Sequence, residues 1–244
     1  MAKGPFHFKT FSVGQDGAAM KVGTDGIVLG CWSPVQGARR VMDIGAGNGY
    51  VGIMLLQRME PGGSLIGVEL EPEAAAQCQD NYRTQPFPAQ ATAWHGAIQN
   101  ATRQHPEWEG TFDLIVSNPP FFKSKPKSLN AARNLARHDD TLPMGDLVRA
   151  SSSLLKTGGR LCTIWPVDRL EEWNEWAPGY GFVIKQTVHI KTMQHLPAKR
   201  AISEWVKNDR DETTHIGSLT LEGKATLDFT EDYLKLVRPY LKGT

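Results

Sequence analysis

The sequence predicts an α/β fold in which a doubly wound, mostly parallel sheet carries helices on both faces. Short apolar runs rich in β-branched residues alternate with helix-like segments over the first two thirds of the chain, which is typical of a parallel sheet. In the last third, strand-like runs follow one another without intervening helices, which predicts an antiparallel C-terminal edge on the same sheet. With 244 residues, 40% of them hydrophobic, the chain is long enough to bury a substantial core.

The elements are predicted in the following order along the chain. Five buried strands are predicted at residues 39–44, 63–70, 91–95, 112–117 and 159–165. Helices are predicted at residues 50–59, 71–84 and 142–156, with the Gly158-Gly159 pair as the stop signal of the last one. Two later strands at 182–191 and 201–208 and a helix at 230–242 complete a seven-stranded, Rossmann-like sheet.

Composition limits the class of protein. We expect a single domain over residues 1–244, with a core at 39–244 and an N-terminal extension at 1–38. Three well-separated cysteines without a CxxC spacing argue against a disulfide framework or a structural zinc site. The N-terminus lacks the apolar core of a signal peptide, and no window has the length of a membrane span, so we expect a cytoplasmic protein. A net charge of +1 means that nucleic-acid binding would depend on local patches.

The first strand runs into a glycine-rich segment, DIGAGNGY, which begins at Asp43. Gly45, Gly47 and Gly49 permit a tight turn and a close approach of the backbone to a ligand. The second strand ends at Glu69, where a carboxylate can accept hydrogen bonds from both ribose hydroxyls. The glycine spacing differs from the GxGxxG of dinucleotide sites, and an acid beside a pyrophosphate would be repelled.

This pattern resembles the D-x-G-x-G-x-G motif of S-adenosylmethionine-dependent methyltransferases, whose cofactor carries an ammonium group and a sulfonium centre. A glycine turn without a ligand is the alternative. Many such enzymes place an Asp after the third strand to hold the adenine, whereas this chain has Ala97 near that position. Backbone groups, Gln99 or Asn100 are the remaining candidates for the adenine contact.

The fourth strand ends in SNPPFF, at the edge of the sheet where doubly wound folds bind their ligands. The motif resembles the N/D-PP-Y/F loop of methyltransferases that act on amino groups conjugated to a planar system. Asn118 Oδ1 and the Pro119 carbonyl can each accept one N–H of such an amine and stabilise the positive charge that develops on it. Phe121 offers a flat face for stacking a base. The alternative is a Pro-Pro stop to the strand followed by two core phenylalanines.

Four classes of enzyme share this loop, acting on DNA adenine, RNA adenine, rRNA guanine N2 or protein glutamine. A basic run without an acid follows the loop and fits a phosphate backbone. Its cationic residues, which we predict to bind RNA, are Lys123, Lys125, Lys127, Arg133 and Arg137. The region 185–207 is also basic, and for this region a solvated face is an equally good interpretation.

Three segments together resemble the bacterial tRNA1(Val) (adenine(37)-N6)-methyltransferases: residues 6–32, the NPPFF loop and residues 230–242. The resemblance implies methylation of N6 of adenine 37, next to the anticodon, by a cytoplasmic enzyme that uses S-adenosylmethionine. It also implies that the MKVGTDG segment flanks the cofactor, with Lys21, Val22, Gly23, Thr24 and Asp25 beside the pocket. We expect a monomer without a metal or a membrane partner, which binds the anticodon stem-loop.

The residues themselves predict, for the MKVGTDG segment, a turn at Gly23, a helix cap at Thr24 or Asp25, and an apolar helix face after it. Three other functions remain open from the residues. An rRNA guanine-N2 or protein glutamine methyltransferase would use the same loop chemistry. A non-catalytic RNA-binding protein could keep the fold without the activity, and a dehydrogenase is disfavoured by the glycine spacing.

Overall fold

The computed structural model describes residues 4–17, 20–119, 142–211 and 213–243. The strands in these ranges are β1 (Phe6–His7), β2 (Ser12–Val13), β3 (Arg40–Ile44), β4 (Ser64–Glu69), β5 (Gln90–His95), β6 (Phe112–Ser117), β7 (Leu155–Pro166), β8 (Phe182–Met193), β9 (Arg200–Lys207) and β10 (His215–Glu222). The α-helices are α1 (Thr24–Trp32), α2 (Tyr50–Leu56), α3 (Pro72–Thr84), α4 (Ala101–Gln104), α5 (Met144–Leu154), α6 (Leu170–Trp176) and α7 (Glu231–Val237).

Eight strands form one sheet in the order β10-β8-β9-β7-β6-β3-β4-β5. The five strands from β5 to β7 are all parallel, β9 is antiparallel to both β7 and β8, and β10 is parallel to β8. The strand order reverses between β3 and β6, so the ends of β3, β4, β6 and β7 open onto a common crevice. The doubly wound, mostly parallel sheet is confirmed. The predicted antiparallel C-terminal edge is present in the pairs of β9 with β7 and β8, whereas the outermost pair, β10 with β8, is parallel.

The hairpin β1-β2 and helices α4 and α6 were not predicted, and two further differences concern the main sheet. The sheet has eight strands rather than seven, because β10 adds an edge strand whose largely exposed face carries little of the apolar alternation on which strand prediction depends. The Gly158-Gly159 pair does not end a helix. Helix α5 already ends at Leu154, and β7 begins at Leu155, which pairs with Phe112 before a register shift. With φ of +75° at Gly158, the pair accommodates a bulge in β7.

Apolar side chains cover both faces of the sheet. One cluster joins β3, β4, β6 and β7 to helices α1, α2 and α7 and includes Leu29, Met54, Leu114 and Tyr240. The other lies beneath α5 and α6, where Leu147, Val148, Ser151 and Leu154 recur at helical spacing on the buried face of α5. The helices therefore fix the sheet from both sides, while the carboxyl ends of its parallel strands remain free to bind ligands.

The N-terminal extension packs on the first of these clusters. Strands β1 and β2 form a small antiparallel hairpin in which Phe8 stacks on Phe11 with ring centroids 4.3 Å apart. Helix α1 starts after Gly23 and buries its apolar face, as predicted, but the predicted cap at Thr24 or Asp25 is wrong. Gly23 itself is the N-cap residue, and no side chain caps the helix.

The three cysteines are free and buried: Cys31 in α1, Cys78 in α3 and Cys162 in β7. Desolvation raises the pKa of all three thiols, that of Cys31 to about 12. In the described part of the chain, no helix combines the length and hydropathy needed to cross a bilayer.

Candidate active site

The glycine loop between β3 and α2 forms the floor of the cleft. Gly45 and Gly47 have φ of +73° and +58°, and a Cβ built on either would meet no atom within 4 Å. These two glycines therefore serve the left-handed backbone and keep the space above the loop open. Gly49 differs, because a Cβ there would lie 2.8 Å from Cys78 Sγ and from the Tyr82 ring. Gly49 lines neither cavity of the cleft. Unlike Gly45 and Gly47, it therefore serves the close packing of the loop against α3.

Two adjoining cavities lie at the carboxyl ends of the parallel strands. The larger, about 730 Å³, extends over the ends of β4 and β5, and the smaller, about 530 Å³, lies between the loop and the segment before α1. Both volumes are in the range of small-molecule sites. Met20, Gly45, Gly47 and Asn118 line both cavities, so they form one continuous cleft that centres on the end of β6.

Glu69 lies in the larger cavity with its carboxylate held by two backbone groups. Gly47 N donates to Oε2 at 2.8 Å and Glu71 N donates to Oε1 at 2.9 Å. Each oxygen keeps a second lone pair, so the orientation suits acceptance from two vicinal hydroxyls. The structure thus links the glycine loop to the predicted ribose contact.

Asp43 lies in the smaller cavity and is only 2% exposed. Desolvation raises the pKa of this carboxyl to about 7, a hydrogen bond from Gly52 N at 3.1 Å opposes the shift, and the charge of Glu69 adds to it. A cationic ligand group would favour the ionised form. The site therefore fits the ammonium group expected of the cofactor.

The adenine end of the cleft is lined by Ala97, Ile98 and Gln99. Gln99 Nε2 donates to Asp146 Oδ2 at 3.1 Å, which commits the amide nitrogen and leaves the amide oxygen as an acceptor for an exocyclic amine. Asn100, the other side chain considered from the sequence, does not line the cavity. Leu70 and Ile98 add apolar surface that suits a base.

In the segment before α1, Lys21 and Gly23 line the smaller cavity, as does Thr24 at the start of the helix, whereas Val22, also expected beside the pocket, does not. Tyr50, the first residue of α2, holds this segment against the glycine loop: its hydroxyl donates to Gly23 O at 3.2 Å and accepts from Gly23 N at 3.4 Å. The sequence analysis missed Tyr50, although its position directly after the glycine motif is a local signal that could have identified it.

Asp25 Oδ2 forms an ion pair with Arg200 Nε at 2.9 Å, and both residues line the smaller cavity. The pair connects the start of α1 to the start of β9, 175 residues later. The sequence placed Asp25 near the pocket but gave no signal for this partner, because no local pattern connects the two positions.

Asn118 and Pro119 follow β6 directly, and both lie in the smaller cavity. Within the described part of the chain, Asn118 Oδ1 is buried without a hydrogen-bond partner. Such an acceptor is costly unless a ligand completes it. Ser117 donates to Ile44 O at 2.8 Å, which joins β6 to β3 and fits the structural role expected of it.

Several predicted residues lie outside the described residues: Phe121 of the loop and the basic run Lys123, Lys125, Lys127, Arg133 and Arg137. The structure therefore brings together Lys21, Gly23, Thr24, Asp43, Gly45, Gly47, Glu69, Asn118 and Pro119 around one cleft. Among the residues that the structure describes, no group of three or more His, Cys, Asp or Glu side chains is placed to hold a metal ion.

Comparison with known proteins identifies the class to which this fold and cleft belong. The family model of the methyltransferase small domain matches residues 29–168. A predicted O-methyltransferase, protein Atu636 from Agrobacterium tumefaciens, has a similar structure, with a TM-score of 0.68 and 19% identity over 88% of this chain and 96% of that one. A Thermus thermophilus 16S rRNA N2 G1207 methyltransferase, solved with AdoMet and guanosine, gives a TM-score of 0.52 at 20% identity over 78% of this chain and 44% of that one. The protein is a class I methyltransferase with S-adenosylmethionine as its cofactor.

Sequence relatives define the family more closely. A tRNA1(Val) (adenine(37)-N6)-methyltransferase from Porphyromonas gingivalis (strain ATCC BAA-308 / W83) is 36% identical and covers 96% of this chain and 94% of its own length. One from Trichodesmium erythraeum (strain IMS101) is 34% identical over 99% of this chain and all of its own length. The chain belongs to the tRNA1(Val) (adenine(37)-N6)-methyltransferase family.

Proposed function

We propose that the protein methylates the exocyclic N6 amine of adenine 37, next to the anticodon of tRNA1(Val), in the cytoplasm. One observation carries this proposal: Asn118 Oδ1, which has no hydrogen-bond partner in the described part of the chain, lies where the two cavities meet. An acceptor at that junction would be within reach of both a cofactor in the cleft and an incoming base. The family membership supplies the substrate class.

S-adenosylmethionine supplies the methyl group when it is bound. Asp43 binds its ammonium group, Glu69 its ribose, and Gly45 and Gly47 allow the close approach. Lys21, Gly23 and Thr24 border the amino-acid end of the cofactor, where the Tyr50 hydroxyl fixes the segment that carries them.

The chain acts on the target amine through two acceptors. An adenine N6 is a weak nucleophile because its lone pair is delocalised into the ring. Asn118 Oδ1 and the Pro119 carbonyl each accept one of its N–H groups, which favours a pyramidal nitrogen and stabilises the charge that develops on it. The proline ring fixes this loop in advance, so little ordering is required during the reaction. Phe121 is proposed to stack the base.

The experiment is transfer of labelled methyl from S-adenosylmethionine to total tRNA from cells that lack the protein, followed by nuclease digestion and chromatography. We expect N6-methyladenosine in a single tRNA species. The same assay is run in parallel on ribosomal RNA and protein from these cells. No label in tRNA, with N2-methylguanosine in ribosomal RNA or label in protein glutamine, would assign the same loop chemistry to a different substrate and contradict the proposal.

A further inference from the structure

The C-terminal half of the sheet shares one edge with the active site. Strands β6, β7, β8 and β10 run in the same direction, so Met193 and Glu222, which end β8 and β10, lie at the edge where Asn118 follows β6. Arg200, the first residue of the antiparallel β9, lies at this edge too. Four interstrand steps of about 4.8 Å separate β6 from β10, a distance of about 19 Å.

The cations of the basic 185–207 region divide between the two edges of the sheet. Lys185, near the start of β8, pairs with Asp209 and Asp211. Lys207, at the end of β9, donates to two main-chain carbonyls at the C-terminus of α5. Both lie at the edge opposite the cleft, and both have internal partners. This half of the region is therefore structural.

The other half lies at the active-site edge. Its Arg200 pairs with Asp25, and its two lysines are joined there by a third from outside the region. Lys191 and Lys199 flank the turn between β8 and β9, and Lys224 lies in the turn after β10. Among the residues that the structure describes, none of these three ammonium groups forms an ion pair. The nearby carboxylates of Glu222 and Asp228 accept backbone N–H groups of Leu227 and Lys224, respectively.

A separate cavity of about 340 Å³ lies between these two turns. It is lined by Gln194, His195, Gly223 and Lys224, which offer an amide, an imidazole and an ammonium group as donors. His195 and Lys224 are exposed. A concave site with several donors from two turns suits a phosphate oxygen better than it suits an apolar ligand.

We propose that Lys191, His195, Lys199 and Lys224 form an edge patch that binds backbone phosphates of the RNA while its target base occupies the cleft. This inference rests on the proposed function and extends it to a second part of the surface. The patch begins beside Arg200, which lines the cleft, and ends at β10. From β9 to β10 it crosses two interstrand steps, about 10 Å, which corresponds to about three nucleotides at 3.4 Å per nucleotide along one strand. Contacts of this kind position the RNA and do not read its sequence.

The test compares tRNA binding by the wild type and the triple variant Lys191→Ala/Lys199→Ala/Lys224→Ala over a series of salt concentrations. We expect the slope of log K against log salt to fall in magnitude by about 2 to 3, since each lost phosphate contact removes roughly 0.7 to 0.9. At moderate salt, tRNA affinity should fall on the order of tenfold, with an unchanged dissociation constant for S-adenosylmethionine.

The control is Lys235→Ala/Lys242→Ala, which removes two exposed cations on other elements and should leave the slope unchanged. If the triple variant loses cofactor binding, the double variant Lys199→Gln/Lys224→Gln, confined to exposed side chains, replaces it and should lower the slope by about 1.5 to 2. If the edge variants have the same salt slope as the wild type, the proposed patch is contradicted.

The two proposals fail in different ways. Suppose that the wild type binds tRNA and that the edge variants lower its salt slope, but that no methyl group is transferred to tRNA. This result would contradict the proposed function and still support the patch. Normal transfer to tRNA with a slope insensitive to the edge variants would overturn the patch alone. A wild type that does not bind tRNA at all would overturn both.

Discussion

Asn118 has a buried acceptor that finds no hydrogen-bond partner among the described residues, and this separates its contribution to activity from its contribution to stability. We predict that Asn118→Ala lowers kcat by roughly 100-fold or more, as expected for loss of an acceptor aimed at developing charge. Removing an unsatisfied acceptor should cost little stability. The measurements are single-turnover methyl transfer and a thermal melt of the same variant.

Asn118→Asp serves as the matched variant, because it keeps the shape and one acceptor oxygen but adds charge. An Asn118→Ala variant that retains the wild-type rate would remove the proposed role. A large loss of melting temperature would instead point to a hydrogen bond inside the protein.

Asp43 predicts a pH dependence for cofactor binding. Burial raises its pKa to about 7, so below that pH the free protein carries a neutral acid that must lose its proton before it can pair with the ammonium group. Between pH 6.0 and 7.2 the affinity for S-adenosylmethionine should rise roughly fivefold, since the α-amino group of the ligand, with a pKa near 7.7–8.0, stays charged. Calorimetry at the two pH values measures this.

Asp43→Asn should bind the cofactor more weakly and with a flat profile over the same range. The stability of the free protein should change in the opposite direction. A folded-state pKa above the unfolded value of 3.8 means that the native state holds the extra proton, so this group contributes less stability as pH rises from about 4 to 7. A wild-type affinity that is independent of pH would contradict the assignment of Asp43 to the ammonium group.

The sequence predicted the site where its residues are contiguous. The glycine loop and Asn118-Pro119 are local motifs at strand ends, and Glu69 follows from its fixed distance along the βαβ unit. Arg200 could not be predicted, because its partner Asp25 is brought to it only by the antiparallel entry of β9 into the sheet. Long-range contacts of this kind depend on topology that one sequence leaves open.

Among the elements, the contact between α1 and α2 connects folding to the cleft. A Cβ on Gly26 would lie 1.8 Å from the Tyr50 hydroxyl, so the two helices approach each other only because this position has no side chain. We predict that Gly26→Ala displaces Tyr50, costs about 1–3 kcal/mol of stability through overpacking and weakens cofactor binding. Chemical denaturation and calorimetry would measure the two effects.

Gly217→Ala is the control for this variant, since the nearest atom to a Cβ there is 3.6 Å away and the strand is exposed. The double variant Gly26→Ala/Tyr50→Leu removes the clash and should recover stability while cofactor affinity stays low. Normal cofactor binding in Gly26→Ala would show that Tyr50 does not hold the segment before α1.

Element prediction succeeded where burial produces a strong pattern. The three central strands β3, β4 and β6 were placed to within one residue at each end, because most of their residues are buried. The edge strand β10 escaped prediction because an exposed edge selects less strongly for apolar residues. The Gly158-Gly159 pair in β7 was wrongly predicted to end a helix. Glycine is common both in helix C-caps and in β-bulges, and only the pairing of the strands distinguishes the two.

At the scale of the whole molecule, the N-terminal extension shares an apolar cluster with the core through Phe8, Val28 and Tyr240. We propose that the chain unfolds as one unit, consistent with a single domain. S-adenosylmethionine at 100 times its dissociation constant should then add about 2.7 kcal/mol and raise one melting transition by about 5–10 °C. Scanning calorimetry with and without the cofactor tests this.

Two separate melting transitions, of which only the one at higher temperature shifts with cofactor, would show that the extension and the core unfold independently. The truncation that removes residues 1–38 gives the matched comparison: if the extension belongs to the same unit, the remaining core should melt lower and lose the cofactor shift.

The burial of all three cysteines has a practical consequence for spectroscopy. Their raised thiol pKa values keep Cys31, Cys78 and Cys162 protonated and out of reach of maleimides and mild oxidants at neutral pH. A single thiol introduced at exposed Gln194 would therefore take up a fluorophore selectively, with all three native cysteines retained. The native chain is in effect already a cysteine-free background for labelling, and it should keep its activity without added reductant.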